Sequence, residues 1–498
     1  MVQMPHIPAD VEDRLASLLD DPALAFLPDL ADAFPGVEWF LVGGAVRDAI
    51  IGRAGRKDID IVVRGVGLAD LSSALVAHGE VNLVGRTFGV LKFRPSGMED
   101  EIDIAWPRTE RAGMSGGYRD FSVQADPELP IERDLARRDF TMNAIAFDLR
   151  SRTLIDPHRG LADIQARTVR AVGDPSVRFS EDHSRMLRGI RFACELGFLI
   201  EEGTWDALCR RMPHIDDMRD AGGAPERVVP FETVAKEFVK AVTADPVRAV
   251  ELLSKSGALL RLIPELAALP RCAQPPDHHS EGDVWTHTML ALTKLRAPEF
   301  GELFPGETPT PETAIAVLLH DVAKPLTAEL REGRITFYGH ADRGAVITAA
   351  IAERLRLSSA GIDAARLSWL VKNHLFPNLV DLDGVRRTTL AKYFLADRVA
   401  GRGLLHLACA DALASLRQEG VQDLSTLRRL LGVLTELEAR GAEGRPLLSG
   451  VEIMAMTGMG PGPDVGRLLE TLKEAQLRGE VADVEHARML IRSMHATD

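Results

Sequence analysis

The run Lys57-Asp58-Ile59-Asp60-Ile61-Val62-Val63 constrains this chain more than any other. Side chains alternate across a strand, so Asp58 and Asp60 take one face while Ile59, Ile61 and Val63 take the other. A strand with such an apolar face needs sheet neighbours and a covering layer. Both are close in sequence. Residues 37–42 read as a strand, Gly43-Gly44 as a turn, and the segment after them as a helix. Residues 68–79 have helical spacing, and residues 89–93 and 101–106 read as further strands. Mixed elements over residues 37–150 predict a small α/β head.

Beyond about residue 150 the texture becomes helical, notably over 180–198 and 231–263. The fold class expected is therefore α+β. A helical extension (1–36) leads into the head (37–150). A helical neck (151–230), a body (231–280), a histidine-bearing block (281–420) and a helical tail (421–498) follow. A turn-rich stretch at 271–283 marks one of these boundaries, and a linker at 438–450 precedes the last helical piece. A chain of 498 residues, 46% hydrophobic, has ample core for several domains and is not disordered.

Four scattered cysteines without a CxxC exclude a disulfide framework or zinc ribbon and suggest a reducing, cytoplasmic setting. No apolar run of about 20 residues predicts a membrane span. A net charge of −14 argues against a general nucleic-acid coat protein. Residues 131–200, however, carry 12 Lys+Arg against 10 Asp+Glu, a local excess that suits a phosphate-bearing partner.

A lone pair of strand aspartates is ordinarily a solvated face, and a GG turn is ordinarily just a turn. Here a third carboxylate, Asp103, follows in another short strand. Three acids on neighbouring strands are what a pair of magnesium ions requires for phosphoryl displacement. Gly43 and Gly44, between strand and helix, let backbone N–H groups approach a phosphate chain, and Arg47 one turn on can add charge.

These motifs carry a resemblance. Gly43-Gly44-Ala45-Val46-Arg47-Asp48, Asp58-Ile59-Asp60 and the run 137–144 (RRDFTMNA) resemble the class II tRNA nucleotidyltransferase and bacterial poly(A) polymerase family. The stretches 155–175 and 180–198 extend the likeness, which is close over about 38–265 and looser beyond. It implies nucleotidyl transfer from CTP and ATP to a tRNA 3′ end, with Mg²⁺ held by Asp58 and Asp60, and Asp103 ligating the ion at the primer hydroxyl. It implies that Arg138 and Asp139 contact the ribose and phosphates.

Asp182, Arg185, Arg188 and Arg191 are spaced by three, so on one helix each would neighbour the next. A salt-bridged surface would look the same. Cytosine and adenine share an exocyclic amine beside a ring-nitrogen acceptor, and a carboxylate with an arginine would accept both and reject uracil and guanine. The resemblance implies that role for Asp182 and Arg185, with Arg188 and Arg191 helping to hold the nucleotide.

In the fifth block, His287, His320-Asp321, His340, His374 and Asp411 follow the order of HD-superfamily metal phosphohydrolases. Imidazoles suit a divalent transition metal and a carboxylate can bridge two ions. His287, His320, Asp321 and Asp411 match the core ligand set, and His340 and His374 the positions serving a second metal.

Alternatives of three kinds remain at this point. A partial enzyme (CC-adding or A-adding) shares every motif, as does a poly(A) polymerase. Against the latter, Gly85-Arg86-Thr87-Phe88 lacks the doubled basic residue of that group. The third is an HD hydrolase with an inactive head, or a non-catalytic RNA-binding protein, and the intact acids oppose both. No oligomeric state follows from the sequence.

Overall fold

The computed structural model describes residues 8–53, 59–84, 90–112, 116–117, 121–220, 222–417, 422–439 and 446–495. Asp58 and the run 85–88 lie outside the described residues. The chain forms two compact units, Met1–Leu262 and Ile263–Asp498. No described helix is long and apolar enough to cross a membrane.

The first unit is built on a seven-stranded sheet. Its strands are β1 (Glu38–Val42), β2 (Asp60–Arg64), β3 (Gly79–Val84), β4 (Val90–Pro95) and β5 (Ile102–Ala105). After a separate hairpin of β6 (Arg108–Ala112) and β7 (Phe121–Ala125), β8 (Ala146–Asp148) and β9 (Leu154–Ile155) complete it. The spatial order is β3-β4-β5-β2-β1-β8-β9. Only β2 and β5 run parallel, and their register sets Asp60 opposite Asp103. Val42 lies opposite Asp60 on one side, and Lys92 opposite Asp103 on the other.

Helix α1 (Gly44–Ile51) starts directly after Gly43, whose φ of 73° is a left-handed value that glycine adopts freely. It ends at Gly52, also left-handed, whose N–H closes the last turn. Helix α2 (Leu68–Leu75) buries Leu71 and Leu75. The face of β2 that carries Asp60 is not wholly polar. Val62, two residues on, joins Phe40, Val42, Ala144 and Ala146 under Ile131 and Leu135 of α3 (Ile131–Ala136). Only the strand end bearing the carboxylate stays open.

The continuous helix expected over 180–198 is instead two. Helix α4 (Pro175–Glu181) stops and α5 (Ser184–Leu196) starts across an extended Asp182 at φ −146°, ψ 107°. The reason is local: the Asp182 carboxylate accepts from the Ser184 N–H at 2.9 Å, a bond that competes with helix continuation. Helix α6 (Phe231–Ala244) packs against α5.

The second unit is helical. Helices α7 (Val284–Lys294), α8 (Pro311–Leu319), α9 (His340–Arg354), α10 (Ala364–Asn373) and α11 (Arg398–Ala414) form a packed group. Helices α12 (Gly450–Thr457), α13 (Pro463–Arg478) and α14 (Val484–His495) share a smaller core around Ile453, Leu472 and Ile491. The start of α12 is fixed by a reciprocal capping box between Ser449 and Glu452.

Phe93 on β4 is fully buried, its ring meeting Phe26 edge-on at 4.8 Å. Phe93→Ala removes that packing beside β5, at a cost of about 3–5 kcal/mol. Urea unfolding is expected to show a lower midpoint, and an unchanged midpoint contradicts the assignment.

Candidate functional site

At the open edge of the head, three groups converge. A Cβ built on Gly43 would lie 3.3 Å from Asp60 Oδ2 and 3.3 Å from Arg138 Nη1. The glycine thus leaves the space between a carboxylate and a guanidinium clear. Asp103 sits beside Asp60 across the parallel pair, and Lys92 Nζ meets Asp103 Oδ1 at 2.8 Å. Both carboxylates are partly open to solvent. Oxygen donors side by side at the starts of two neighbouring strands fit a hard divalent cation.

Arg138 is aimed by Asp134, a fully buried carboxylate on α3. Asp134 receives Arg138 Nη2 at 3.1 Å and Arg137 Nε at 2.9 Å. Burial pushes the Asp134 carboxyl up, but Arg138 and Arg137 more than offset this and hold it below its ordinary value. Arg47 does not face the open edge. Its guanidinium is buried against Asp48 and donates to Asn143 Oδ1 at 2.7 Å.

From Asn143 a buried polar chain runs into the neck. Asn143 Nδ2 and the Phe140 N–H both donate to Asp139 Oδ1, at 3.0 and 2.8 Å. Arg188 Nε and Nη2 donate to Asp139 Oδ2 at 2.9 and 2.7 Å. Glu237 of α6 takes the Arg191 guanidinium, and Glu195 takes its Nη1 at 2.6 Å. The Phe192 ring lies among Arg47, Arg188 and Arg191, with guanidinium carbons 5.1, 5.5 and 3.8 Å from its centroid. Asp139 and Arg188 are therefore coupled to Arg47, while Arg191 is locked among carboxylates.

Arg185 Nη1 donates to Glu181 Oε2 at 2.7 Å, and its Nη2 to the Arg137 carbonyl at 3.2 Å. Asp182 stands at the helix break, two residues before the start of the helix that carries the three arginines. It is three residues from Arg185, but their neighbourhood comes from the kink and not from one helix face.

In the second unit, His287, His320, Asp321, His340, His374 and Asp411 all meet. His287 Nε2 is 3.1 Å from Asp411 Oδ1 and 3.9 Å from Asp321 Oδ2. His320 Nε2 is 3.1 Å from Asp321 Oδ2. The other Asp321 oxygen faces His340 Nε2 at 3.5 Å and His374 Nε2 at 3.9 Å. Two ligand groups thus share Asp321: His287, His320 and Asp321, then Asp321, His340 and His374. The Nδ1 atoms of His320, His340 and His374 are tied to the carbonyls of Val317, Phe337 and Val371, and that of His287 to Glu281. Every Nε2 is left for the centre. The buried His320 Nε2 and Asp321 Oδ1 have no hydrogen-bond partner there, which suits a metal site.

The electrostatics agree. Burial alone would lower His287, but Asp411 and Glu281 push it up to about 9. Burial and the neighbouring His320 bring His374 down to about 4. Burial opposes the charged form of Asp321, yet His320 and Lys324 hold it well below the carboxylate range. A cavity of about 650 Å³ opens over the cluster, lined also by Lys324, Phe337, Tyr338 and Arg417.

Sequence reasoning missed Asp134, Asn143, Phe192 and Glu237 in the first unit, and Gln274, Glu281 and Lys324 in the second. Two carried a signal. Glu237 is an acid inside the apolar stripe Val234, Ala235, Phe238, Val239. Lys324 lies one turn after Asp321, 2.7 Å from its Oδ2, with Gln274 Oε1 also at 2.7 Å.

Comparisons with known proteins follow the same lines. The Poly A polymerase head domain family matches residues 39–170. The chain is similar to a multifunctional CCA protein of Halorhodospira halophila, at 39% identity over 68% of this chain and 74% of the relative. Over 92% of its length it is 32% identical to a CC-adding tRNA nucleotidyltransferase of Thermus thermophilus, covering 93% of that protein. Over 93% it is 33% identical to an A-adding tRNA nucleotidyltransferase of Deinococcus radiodurans, covering 97%. A solved Thermotoga maritima CCA-adding enzyme complexed with tRNA-CCA shares the fold, with a TM-score of 0.60 at 20% identity over 98% of this chain and 100% of that one.

Asp139 supplies a pH test. Its folded pKa lies below the ordinary carboxylate value: burial raises it, but Arg188 and Asn143 outweigh that. Its contribution is therefore present above the ordinary carboxylate range and lost as pH falls toward the depressed folded value. Asp139→Asn is expected to lower stability by about 1–3 kcal/mol near neutral pH, since Arg188, whose side chain is 36% exposed, loses its charged partner. The deficit should shrink toward acid pH in denaturant melts. A deficit independent of pH contradicts the charge pairing.

Proposed function

The chain belongs to the class II CCA-adding tRNA nucleotidyltransferase family, and on that premise we propose that it builds or repairs the CCA end of tRNA from CTP and ATP. It is a nucleotidyltransferase. The observation that carries the reading is Asp60 beside Asp103 across the parallel strand pair, with Gly43 and Arg138 closing on the same edge.

The residue roles follow. Asp58, Asp60 and Asp103 would hold two Mg²⁺ ions, which supply activation of the tRNA 3′-hydroxyl and neutralise charge on the triphosphate. Gly43 and Gly44 leave room for phosphate oxygens, and Arg138, set by Asp134, faces the same opening. Asp139 fixes Arg188 beside the nucleotide, while Arg47 and Arg191 act from within the buried chain. Asp182 and Arg185 read the base: the carboxylate accepts from the exocyclic amine and the guanidinium donates to the ring nitrogen. A base lacking that amine leaves the carboxylate unpaired, which is the source of discrimination. No nucleophilic side chain is required, because positioning and charge carry phosphoryl transfer. We read the first unit, which ends at Leu262, as extension, head, neck and the first part of the body, and the second as the rest of the body with the HD block and tail.

A narrower specificity is the second reading. The two relatives aligned over more than nine-tenths of this chain are a CC-adding and an A-adding enzyme. Purified protein, incubated with tRNA lacking CCA, ending in C or ending in CC, and with labelled CTP or ATP, separates these readings by product length. Asp60→Ala or Asp103→Ala is expected to lower incorporation by about 10³-fold or more while tRNA binding persists. Asp182→Ala is expected to blur the choice of C and A over U and G. Incorporation that survives both head substitutions removes the proposed chemistry.

The HD cluster fits a divalent transition metal through its convergent Nε2 atoms and the shared Asp321, and we assign to it a phosphoester hydrolysis separate from nucleotidyl transfer. His287, His320, Asp321 and Asp411 would hold one ion, and Asp321, His340 and His374 a second. When bound, the metal supplies Lewis-acid polarisation of a phosphate ester. Lys324 is placed to meet phosphate charge at the cavity wall. His320→Ala combined with Asp321→Ala is expected to remove that metal by elemental analysis. Equal metal content in variant and wild type contradicts the site.

A further inference from the structure

A third group of metal-ligating side chains lies outside both sites, in the neck. His183 follows Asp182 directly and is only 5% exposed. Its Nδ1 is 2.7 Å from the Phe179 carbonyl, so that nitrogen carries the proton and donates. The Gly116 backbone packs close to the Nε2 end of the same ring. The His214 ring stacks beside it, with centroids 5.4 Å apart and planes at 26°. His214 Nδ1 is in turn 2.8 Å from Asp217 Oδ2.

One nitrogen of each histidine and one Asp217 oxygen lie within 4.8 Å of one another. The backbone around Asp217 is fixed at both ends: its N–H donates to the His214 carbonyl, and its carbonyl accepts from Val228. The adjacent Asp216 is taken by Arg261. Asp217, by contrast, has no lysine or arginine partner among the described residues. Burial and the nearby His214 hold His183 below its usual value.

We propose that His183, His214 and Asp217 form a binding site for one divalent ion of the zinc class, separate from the head and the HD cluster. Two imidazole nitrogens and one carboxylate oxygen are the donors such an ion prefers, while magnesium and calcium prefer oxygen alone. The Phe179 carbonyl on Nδ1 presets the ligating tautomer of His183, as carbonyls do for metal-bound histidines elsewhere. Tetrahedral ligands at about 2.0–2.1 Å from the ion stand roughly 3.3 Å apart. The group must therefore contract, and the side chains of His214 and Asp217, 44% and 43% exposed, are free to turn inward. His183 is the fixed anchor. The bound ion would clip the turn at residues 212–217 to the peptide that carries Asp182, stiffening the base-reading corner.

The experiment uses full-length protein carrying His320→Ala and Asp321→Ala, stripped with chelator, then loaded with Zn²⁺ or Co²⁺ in the presence of excess Mg²⁺. Metal retained after gel filtration is measured by elemental analysis, and Co²⁺ ligation by its visible absorption. About one equivalent is expected to remain, with affinity falling by about tenfold or more on His214→Ala or Asp217→Asn. No retained ion, or retention indifferent to both substitutions, overturns the site. The same comparison without the HD substitutions keeps the test open should those variants fold poorly: wild type is expected to hold one equivalent more than His214→Ala, and equal content overturns the proposal. Failure of the HD reading would look different. The HD substitutions would then change nothing, while the neck equivalent still followed His214.

Discussion

The parallel pairing of β2 with β5 is the constraint on which the head depends. Every other pair in its sheet is antiparallel. This one brings two strands alongside in the same direction, so that Asp60 and Asp103 stand at one height on one face. A one-residue slip would turn one carboxylate to the opposite side and separate the pair. The pairing is anchored around its ends. The Asp103 N–H donates to the Ile59 carbonyl at 3.1 Å, and Trp106 Nε1 to the Val66 carbonyl at 2.6 Å. Once the register is fixed, Lys92 falls opposite Asp103 without further instruction. Gly43 then reaches the same edge because β1 pairs with the other side of β2.

From that edge, order passes inward through buried charge. Asp139 accepts from Arg188 and Asn143 at once, and Asn143 accepts from Arg47. Glu237 then holds Arg191 from a third helix. Buried ion pairs add little net stability, because desolvation offsets their attraction, but their geometry is demanding. Such a chain restricts how the first helix of the head can sit relative to the helix of three arginines. Phe192, surrounded by three guanidinium groups, makes the same restriction from the apolar side. The arrangement accounts for Arg47 and Arg191 being turned inward: they hold the frame in which Asp60, Arg138 and Asp182 are presented.

This division explains what could be read from the residues alone. The alternation at 57–63 and the glycine pair announced the β1–α1–β2 unit, because period and turn chemistry are local. The later acid at 103 could be named, but its place beside Asp60 required the pairing. The helix of three arginines was legible except at Asp182, where a side-chain bond to Ser184 overrides an unbroken helical pattern. Asp134, Glu237, Gln274 and Glu281 were not foreseen. Their partners are set by tertiary packing, as with Glu237 and Arg191, 46 residues apart. Spacing says nothing about such pairs. The histidines and aspartates named between 287 and 411 could be singled out by residue type, and the fold supplies their meeting point.

The histidines show how a fold prepares imidazoles for an ion. His320, His340 and His374 each direct Nδ1 to the carbonyl three residues earlier, and His183 does so to the carbonyl four residues earlier. The device is local: a helix end or turn supplies the acceptor, the tautomer follows, and Nε2 is left as the ligand. His287 instead uses a carboxylate, Glu281, and its ring stands between that group and Asp411. Those two acids outweigh burial and raise it to about 9. His374, buried beside His320, is brought down to about 4. The carboxylates Glu281 and Asp411 are therefore what set His287 apart from the histidines whose Nδ1 is held by a backbone carbonyl.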